Sequence, residues 1–388
     1  MKLLFFSPHT LLDSSSGAAL CVSTMLSELV KLGHSCIAVT GSVTDAANQL
    51  FEQVRDTKPG ESIMIENTGD SLPLRRINFN GVMNFIAGDG VGANALRAVD
   101  EVVLRRLFLD GFQQMDPDVV LTYGGFTSNY YAGQYAMARG RKSVLYVAST
   151  SYTRGLYQLN HGNMIHTVSG ALCKLLETAS DLPKITTKTF LRREDVIARA
   201  RKPEYITFIN PIPAKGVKIA AAIVRECARL QRPYKFLFVE GRGTRDLLYK
   251  SCPDLEGLPN LHIGNNTLEV RKIYARTAIC LYPSVWFEPA GRIPLEANAN
   301  GIPVLACDSG GIAEMLDGAG FLFNVPQASR GDHNAEVSVE TVMPWIETLD
   351  RIHNEPGFMA DAVSRARAAD ARYDLTAMAQ AFATAVMA

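Results

Sequence analysis

What most constrains this chain is a repeated alternation of short apolar runs, glycine-punctuated loops and helical stretches. It begins at once. Leu3 to Phe6 form an apolar run after Lys2, and a serine-rich loop follows from Leu11 to Gly17. A helical stretch then covers Ala18 to Leu32, with apolar residues at Leu26, Leu29 and Val30, before Gly33 and His34 stop it. A second apolar run occupies Cys36 to Val39. Strand, glycine loop, helix, glycine stop and strand make the βαβ unit that opens a parallel sheet. Such sheets hold ligands outside the carboxyl ends of their strands.

The pattern recurs. Asp118 to Leu121 and Ser143 to Val147 read as buried strands around a helix near Asn129 to Arg139. From Arg201 the alternation restarts, with strands predicted at Tyr205 to Ile209, Lys235 to Val239, Ala278 to Tyr282 and Pro303 to Ala306. Helices are predicted at Val217 to Leu230 and after Gly291. A chain of 388 residues suits two domains. The expectation is an α/β protein with an N-terminal Rossmann-like domain over 1–188 and a second over 189–373, facing each other across a cleft. Lys188 to Lys202 holds six basic and two acidic residues without apolar period, the composition of an exposed connector. Leu375, Met378, Phe382 and Val386 recur at helical spacing behind Asp374, which predicts a capped amphipathic helix over 374–388 that must dock on another part of the chain.

Lys plus Arg and Asp plus Glu are 39 each, so the formal charge is zero and no basic excess points to nucleic acid. The seven cysteines are scattered with no C-x-x-C pair, which argues against a disulfide framework or a cysteine-rich zinc site and for a reducing cytoplasm. No apolar run has the length of a membrane span, so membrane contact is expected to be peripheral at most.

The most informative stretch is PSVWFEPAGRIPLEANANGIPVLACDSGGIAE, Pro283 to Glu314. It leaves the carboxyl end of a predicted strand. Gly291 permits a tight turn, and Pro294 fits the first turn of a helix beginning near Arg292. Free N–H groups at that helix start would suit a diphosphate. The segment resembles the E-x7-E signature, in its EPxGR variety, of family 4 retaining glycosyltransferases, which have the GT-B fold. The resemblance is close over residues 205–320 and loose elsewhere. It implies that Glu288 contacts the donor sugar, that Glu296 binds the ribose of a nucleoside-diphosphate sugar, and that Ala290, Gly291 and Arg292 lie at the phosphates.

Asn210 to Gly216, NPIPAKG, resembles the G-R-x4-K-G segment of the same family. Lys215 takes the family lysine's place at the donor phosphates, and Asn210 stands where the family has arginine. Gly241 and Gly243, in Glu240-Gly241-Arg242-Gly243, match the second βα turn near the nucleotide, and Asn266 to Leu268 fall where the family meets the base. In the first domain Ser16 and Gly17 match the family's first glycine turn. Tyr123 stands near the position where many relatives carry a histidine, and His9 follows the first strand. Both are candidate acceptor contacts.

Asp116-Pro117-Asp118 is formally a D-x-D metal motif, but it precedes its apolar run and so reads as a strand-entry turn. No cluster has metal-ligand spacing, so neither a metal nor a cofactor is expected. Leu96 to Met115 mixes charges as an ordinary amphipathic helix does. The activity implied is transfer of a sugar, with retention, to the hydroxyl of a small-molecule, lipid or glycan acceptor. The rival readings are a non-catalytic nucleotide-sugar-binding partner of another transferase, and an epimerase or phosphorylase on the same fold.

Overall fold

The computed structural model describes residues 1–45, 61–64, 71–92, 96, 98–154 and 159–388. The chain divides into two units, one of Met1–Leu191 with Asp374–Ala388 and the other of Arg192–Tyr373. Each is an α/β unit on a largely or wholly parallel sheet, the class predicted from the alternation.

The first unit contains β1 (Lys2–His9), β2 (Ser35–Thr44), β3 (Glu61–Met64), β4 (Ser71–Phe79), β5 (Val82–Gly92), β6 (Val119–Thr122), β7 (Lys142–Val147), β8 (Met164–Thr167) and β9 (Lys184–Thr186). Their order in the sheet is β3-β4-β5-β2-β1-β6-β7-β8-β9. Two pairings, β3 with β4 and β4 with β5, are antiparallel, and the others are parallel. Leu3 to Phe6 and Val119 to Leu121 are fully buried, because helices cover both faces of the central strands. Ser16 caps the helix Gly17–Lys31 by accepting from the Ala19 N–H. The D-x-D residues lie at the amino end of β6, where Asp118 accepts from the Lys2 N–H at 2.7 Å and Asp116 pairs with Arg141 at 2.5 Å. The amphipathic stretch forms the helix Ala98–Met115, while Arg97 lies outside the described residues.

The second unit contains β10 (Tyr205–Ile209), β11 (Phe236–Val239), β12 (Leu261–Gly264), β13 (Thr277–Tyr282), β14 (Val304–Cys307) and β15 (Phe321–Phe323). All pairs are parallel, in the order β12-β11-β10-β13-β14-β15. This is the doubly wound arrangement, in which the chain direction across the sheet reverses between β10 and β13. In the first unit the corresponding reversal lies between β1 and β6.

The connector differs from its expectation. Phe190, Leu191 and Val196 are buried, and Arg193–Val196 is helical. Arg193 pairs with Asp370, and Arg201 donates to the carbonyls of Asn300 and Thr277 at 2.7 Å each. These guanidinium forks satisfy carboxylate and carbonyl oxygens, so Arg193 and Arg201 are fastened down while Arg199 and Lys202 remain exposed. The last helix, Leu375–Met387, is capped by Asp374, whose carboxylate accepts from the Ala377 N–H at 2.9 Å. Thr376 donates to Glu28 at 2.7 Å, and the Phe382 ring lies 4.8 Å from the buried His166 ring.

Candidate functional site

In the second unit the loops leaving β10 and β13 are fastened to each other at the reversal point. The Ala214 carbonyl accepts from Val285 N–H at 3.1 Å and from the Ser284 hydroxyl at 3.2 Å. Gly216 adopts φ 81°, and a Cβ there would overlap the Pro283 carbonyl. Only glycine lets the two loops close this far.

That closure brings Lys215 and Glu288 into an ion pair. Ser284 donates to the same Glu288 oxygen at 2.7 Å. The Tyr282 phenol's ionisation is pushed well above the ordinary range, first by burial and then by the Glu288 charge. The Lys215 ammonium lies 5.7 Å from the Tyr282 ring centre and 5.4 Å from that of Trp286. Behind Glu288, Gly310 at φ 61° allows the chain after β14 to close on the Glu288 backbone, whose carbonyl accepts from Gly311 N–H at 2.8 Å.

The helix Arg292–Ala299 starts directly after Gly291, which takes φ 90° beside the Tyr282 hydroxyl. Ala290, immediately before it, is buried. Arg292 Nε donates to Glu296 Oε1 at 2.6 Å, and the Tyr274 hydroxyl donates to Glu296 Oε2 at 2.6 Å. Arg292 Nη1 is buried with no hydrogen-bond partner among the described residues. A guanidinium donor in that state, beside a helix start, suits an anionic oxygen.

Asn210 sits at φ 63°, a left-handed position that asparagine tolerates better than most residues. Its side-chain oxygen accepts from the Gly243 N–H at 2.9 Å. A Cβ on Gly241 would lie 3.1 Å from Asn210 atoms, and one on Gly243 would overlap the Pro211 carbonyl. Asn210, Gly241 and Gly243 thus form one tight turn, in which Asn210 holds backbone. Leu268, after β12, is exposed.

The first unit has its own cluster at its reversal point. The His9 ring lies 5.3 Å from Tyr123 and 5.4 Å from Phe126. Burial, aided by the Asp45 charge, pushes the Tyr123 phenol up to about 12 against the opposing effect of the nearby Ser16 hydroxyl. Burial also lowers the His9 imidazole, against the opposing pull of Asp45 and Asp13. Asp13 organises the loop, accepting from Ser15 N–H at 2.9 Å and Asp45 N–H at 2.7 Å. Gly17 is exposed, with open space where a Cβ would go.

The sequence reading did not single out Tyr274, Tyr282, Ser284 or Gly310. Ser284 and Gly310 stood inside the quoted motif, whereas Tyr274 is 22 positions before Glu296 and carried no local signal.

Residues 192–330 match the family described as Glycosyl transferases group 1. The match to a glycosyltransferase domain lies wholly within the second unit. The protein is an enzyme of glycosyl transfer, and the whole chain has the GT-B fold of known glycosyltransferases. It superposes on a glycosyltransferase from Rickettsia africae with TM-score 0.69 at 14% identity, covering 99% of this chain and 97% of that one. The Anabaena protein HepE, in complex with UDP and glucose, gives TM-score 0.67 at 14% identity over 100% of this chain and 99% of that one. The catalytic domain of starch synthase IV from Arabidopsis thaliana, bound to ADP and acarbose, gives 0.68 at 12% identity over 100% and 99%. No curated protein matches the sequence significantly. Among the described residues no helix is long and apolar enough to cross a membrane, and no group of three or more His, Cys, Asp or Glu is placed to hold a metal ion.

Proposed function

We propose that this glycosyltransferase is a retaining enzyme of family 4 type that takes a sugar from a nucleoside-diphosphate donor. The unit holding the Lys215–Glu288 and Arg292–Glu296 pairs is its donor domain, taken as residues 189–373. Residues 1–188 with the terminal helix 374–388 form its acceptor domain. The observation that carries this reading is the pairing itself: two carboxylates and two cations gathered at the reversal point of one parallel sheet.

In this reading Glu288 accepts hydroxyls of the donor sugar and Glu296 those of the ribose. Lys215, Arg292 and the backbone from Ala290 to Arg292 face the diphosphate, with the turn of Asn210, Gly241 and Gly243 beside it. Negative charge that grows on the leaving phosphate is met by fixed cations, so the protein itself supplies the role a metal would otherwise have. The acceptor hydroxyl attacks the anomeric carbon on the face from which the phosphate departs. Its proton passes to the departing phosphate oxygen, and the configuration is kept. Ser16 and Gly17 are assigned to the donor, and Tyr123 and His9 to the acceptor, a small molecule, lipid or glycan. The complexes of HepE with UDP and glucose and of starch synthase IV with ADP support a nucleotide-sugar donor. Seven cysteines, six of them buried and none in a disulfide, support a reducing, cytoplasmic setting.

A thermal-shift panel of UDP, GDP, ADP, TDP and CDP with their common sugar conjugates, without divalent metal, tests the donor site. One nucleotide should raise the melting temperature clearly, and Glu296→Ala should remove most of that rise. Flat curves at millimolar nucleotide would overturn the assignment.

A further inference from the structure

Glu296 is 7% exposed and lies in the first turns of the helix Arg292–Ala299. A carboxylate this buried needs partners to remain ionised without a large penalty. It has one on each oxygen: Arg292 Nε on Oε1 and the Tyr274 hydroxyl on Oε2, both at 2.6 Å. Arg292 is its neighbour one helical turn away. Tyr274 comes from a different element, the helix Val270–Arg276, and packs against Cys280, Ala297 and Ile302 with 1% exposure. Its hydroxyl therefore meets Glu296 from the apolar interior rather than from solvent. Burial and the Glu296 charge raise the Tyr274 ionisation well above the ordinary phenol range, so the hydroxyl keeps its proton and remains a donor.

Counting acceptor sites gives the arrangement a chemical meaning. An ionised carboxylate offers about four lone-pair sites on its two oxygens. Tyr274 takes one on Oε2 and Arg292 one on Oε1, which leaves one on each oxygen. A vicinal diol presents two O–H donors on adjacent carbons and needs two acceptors held at a fixed separation. A carboxylate clamped at both oxygens has that form, and one clamped at a single oxygen can rotate about its last bond.

We propose that Tyr274 is a positioning residue for nucleotide recognition: with Arg292 it fixes the Glu296 carboxylate so that its two remaining acceptor sites take the 2′- and 3′-hydroxyls of a ribonucleotide. Tyr274 touches neither donor nor acceptor. It acts through Glu296, and its effect falls on the sugar of the nucleotide rather than on the phosphates or the base. The inference rests on the donor-site reading above and adds a determinant of ribose over 2′-deoxyribose.

The test is calorimetric titration of the full chain with UDP, GDP and ADP, followed by the tightest binder against its 2′-deoxy counterpart. Wild type should prefer the ribonucleotide. Tyr274→Phe, which keeps the ring and removes only the donor, should weaken ribonucleotide binding about tenfold, the scale of one hydrogen bond to a charged group. It should leave the 2′-deoxy affinity within about twofold, so that the discrimination collapses. Thermal melting separates a general loss of structure from this effect. Equal weakening of both nucleotides would mean a merely structural role and would overturn the proposal. Unchanged affinity for both would also overturn it. Glu296→Gln tells this failure from that of the parent reading: if it leaves ribonucleotide binding intact, the donor-site assignment falls and the proposal with it. If it weakens binding while Tyr274→Phe does not, only the role of Tyr274 is lost.

Discussion

Lys215 and Glu288, 73 positions apart in the chain, are joined by an ion pair beneath which the Tyr282 and Trp286 rings lie. Before any donor arrives, the ammonium is already committed to a carboxylate. In the proposed site a diphosphate would share it, and the lysine's three donors permit that sharing without the pair breaking. Lys215→Ala should lower turnover about a hundredfold, the scale for loss of one charge-stabilising donor at a reacting group. Nucleotide affinity should change far less. Steady-state kinetics of the variant check this, and an unchanged kcat would remove Lys215 from the chemistry.

Two glycines separate packing from contact with ligand. Gly216→Ala places a Cβ into the Pro283 carbonyl from a left-handed backbone position, and should cost at least about 2 kcal/mol of stability. Gly17→Ala enters open space at a helix start and should leave the denaturation midpoint almost unmoved. Should Gly17 lie against the donor, its alanine variant loses activity while keeping its melting temperature. Denaturant melts beside activity assays distinguish the two.

Restoring the family arginine should do harm. Asn210→Arg puts an ordinary side chain at φ 63° and removes the acceptor for the Gly243 N–H. The left-handed backbone costs about 1 kcal/mol and the lost hydrogen bond about 1 kcal/mol more. The variant should melt earlier than wild type and gain no activity, whereas Asn210→Asp should be nearly neutral in stability. A more active Asn210→Arg enzyme would contradict the structural role assigned to this residue.

His166 sets a pH dependence in the first unit. It is buried among Tyr146, Phe190 and Phe382, with Nε2 bonded to Thr187 Oγ1 at 2.9 Å, and burial lowers its ionisation from 6.5 to about 3. As pH falls, the unfolded chain takes up this proton first, so the stability that the neutral ring contributes is complete above about pH 7. It drains away between about 6.5 and 3. Within that window the loss approaches about 1 kcal/mol per pH unit. His166→Gln should show a shallower decline over the same range in urea melts at successive pH values. Parallel curves would show that His166 does not titrate on unfolding.

The central strands were legible because both of their faces are covered, which turns them into continuous apolar runs such as Leu3 to Phe6 and Val119 to Leu121. The sheet edge formed by β3, β4 and β5 carried no such signal: β4 and β5 contain Arg75, Arg76 and Asp89 among their apolar residues, and Arg75 is accommodated by its own bonds to the Gly88 carbonyl and Asp89. The basic connector was legible only in part: Arg199 and Lys202 are exposed as a charge run suggests, whereas the partners of Arg193 and Arg201 leave no trace in the local sequence. Glu288 and Glu296 stood out through the order of residues around them. Tyr274, which holds Glu296, did not, because a hydroxyl that reaches a carboxylate from a neighbouring helix leaves no spacing to read.

The terminal helix has a consequence for the order in which the protein is made. Leu375–Met387 belongs to the unit that begins at Met1, while all of Arg192–Tyr373 is made between them. A ribosome therefore completes the second unit first, and that unit already holds its own ends together through Arg193 and Asp370. In the first unit the surface around Glu28 and His166 stays uncovered until Leu375–Met387 has left the ribosome. The first unit is begun first and completed last.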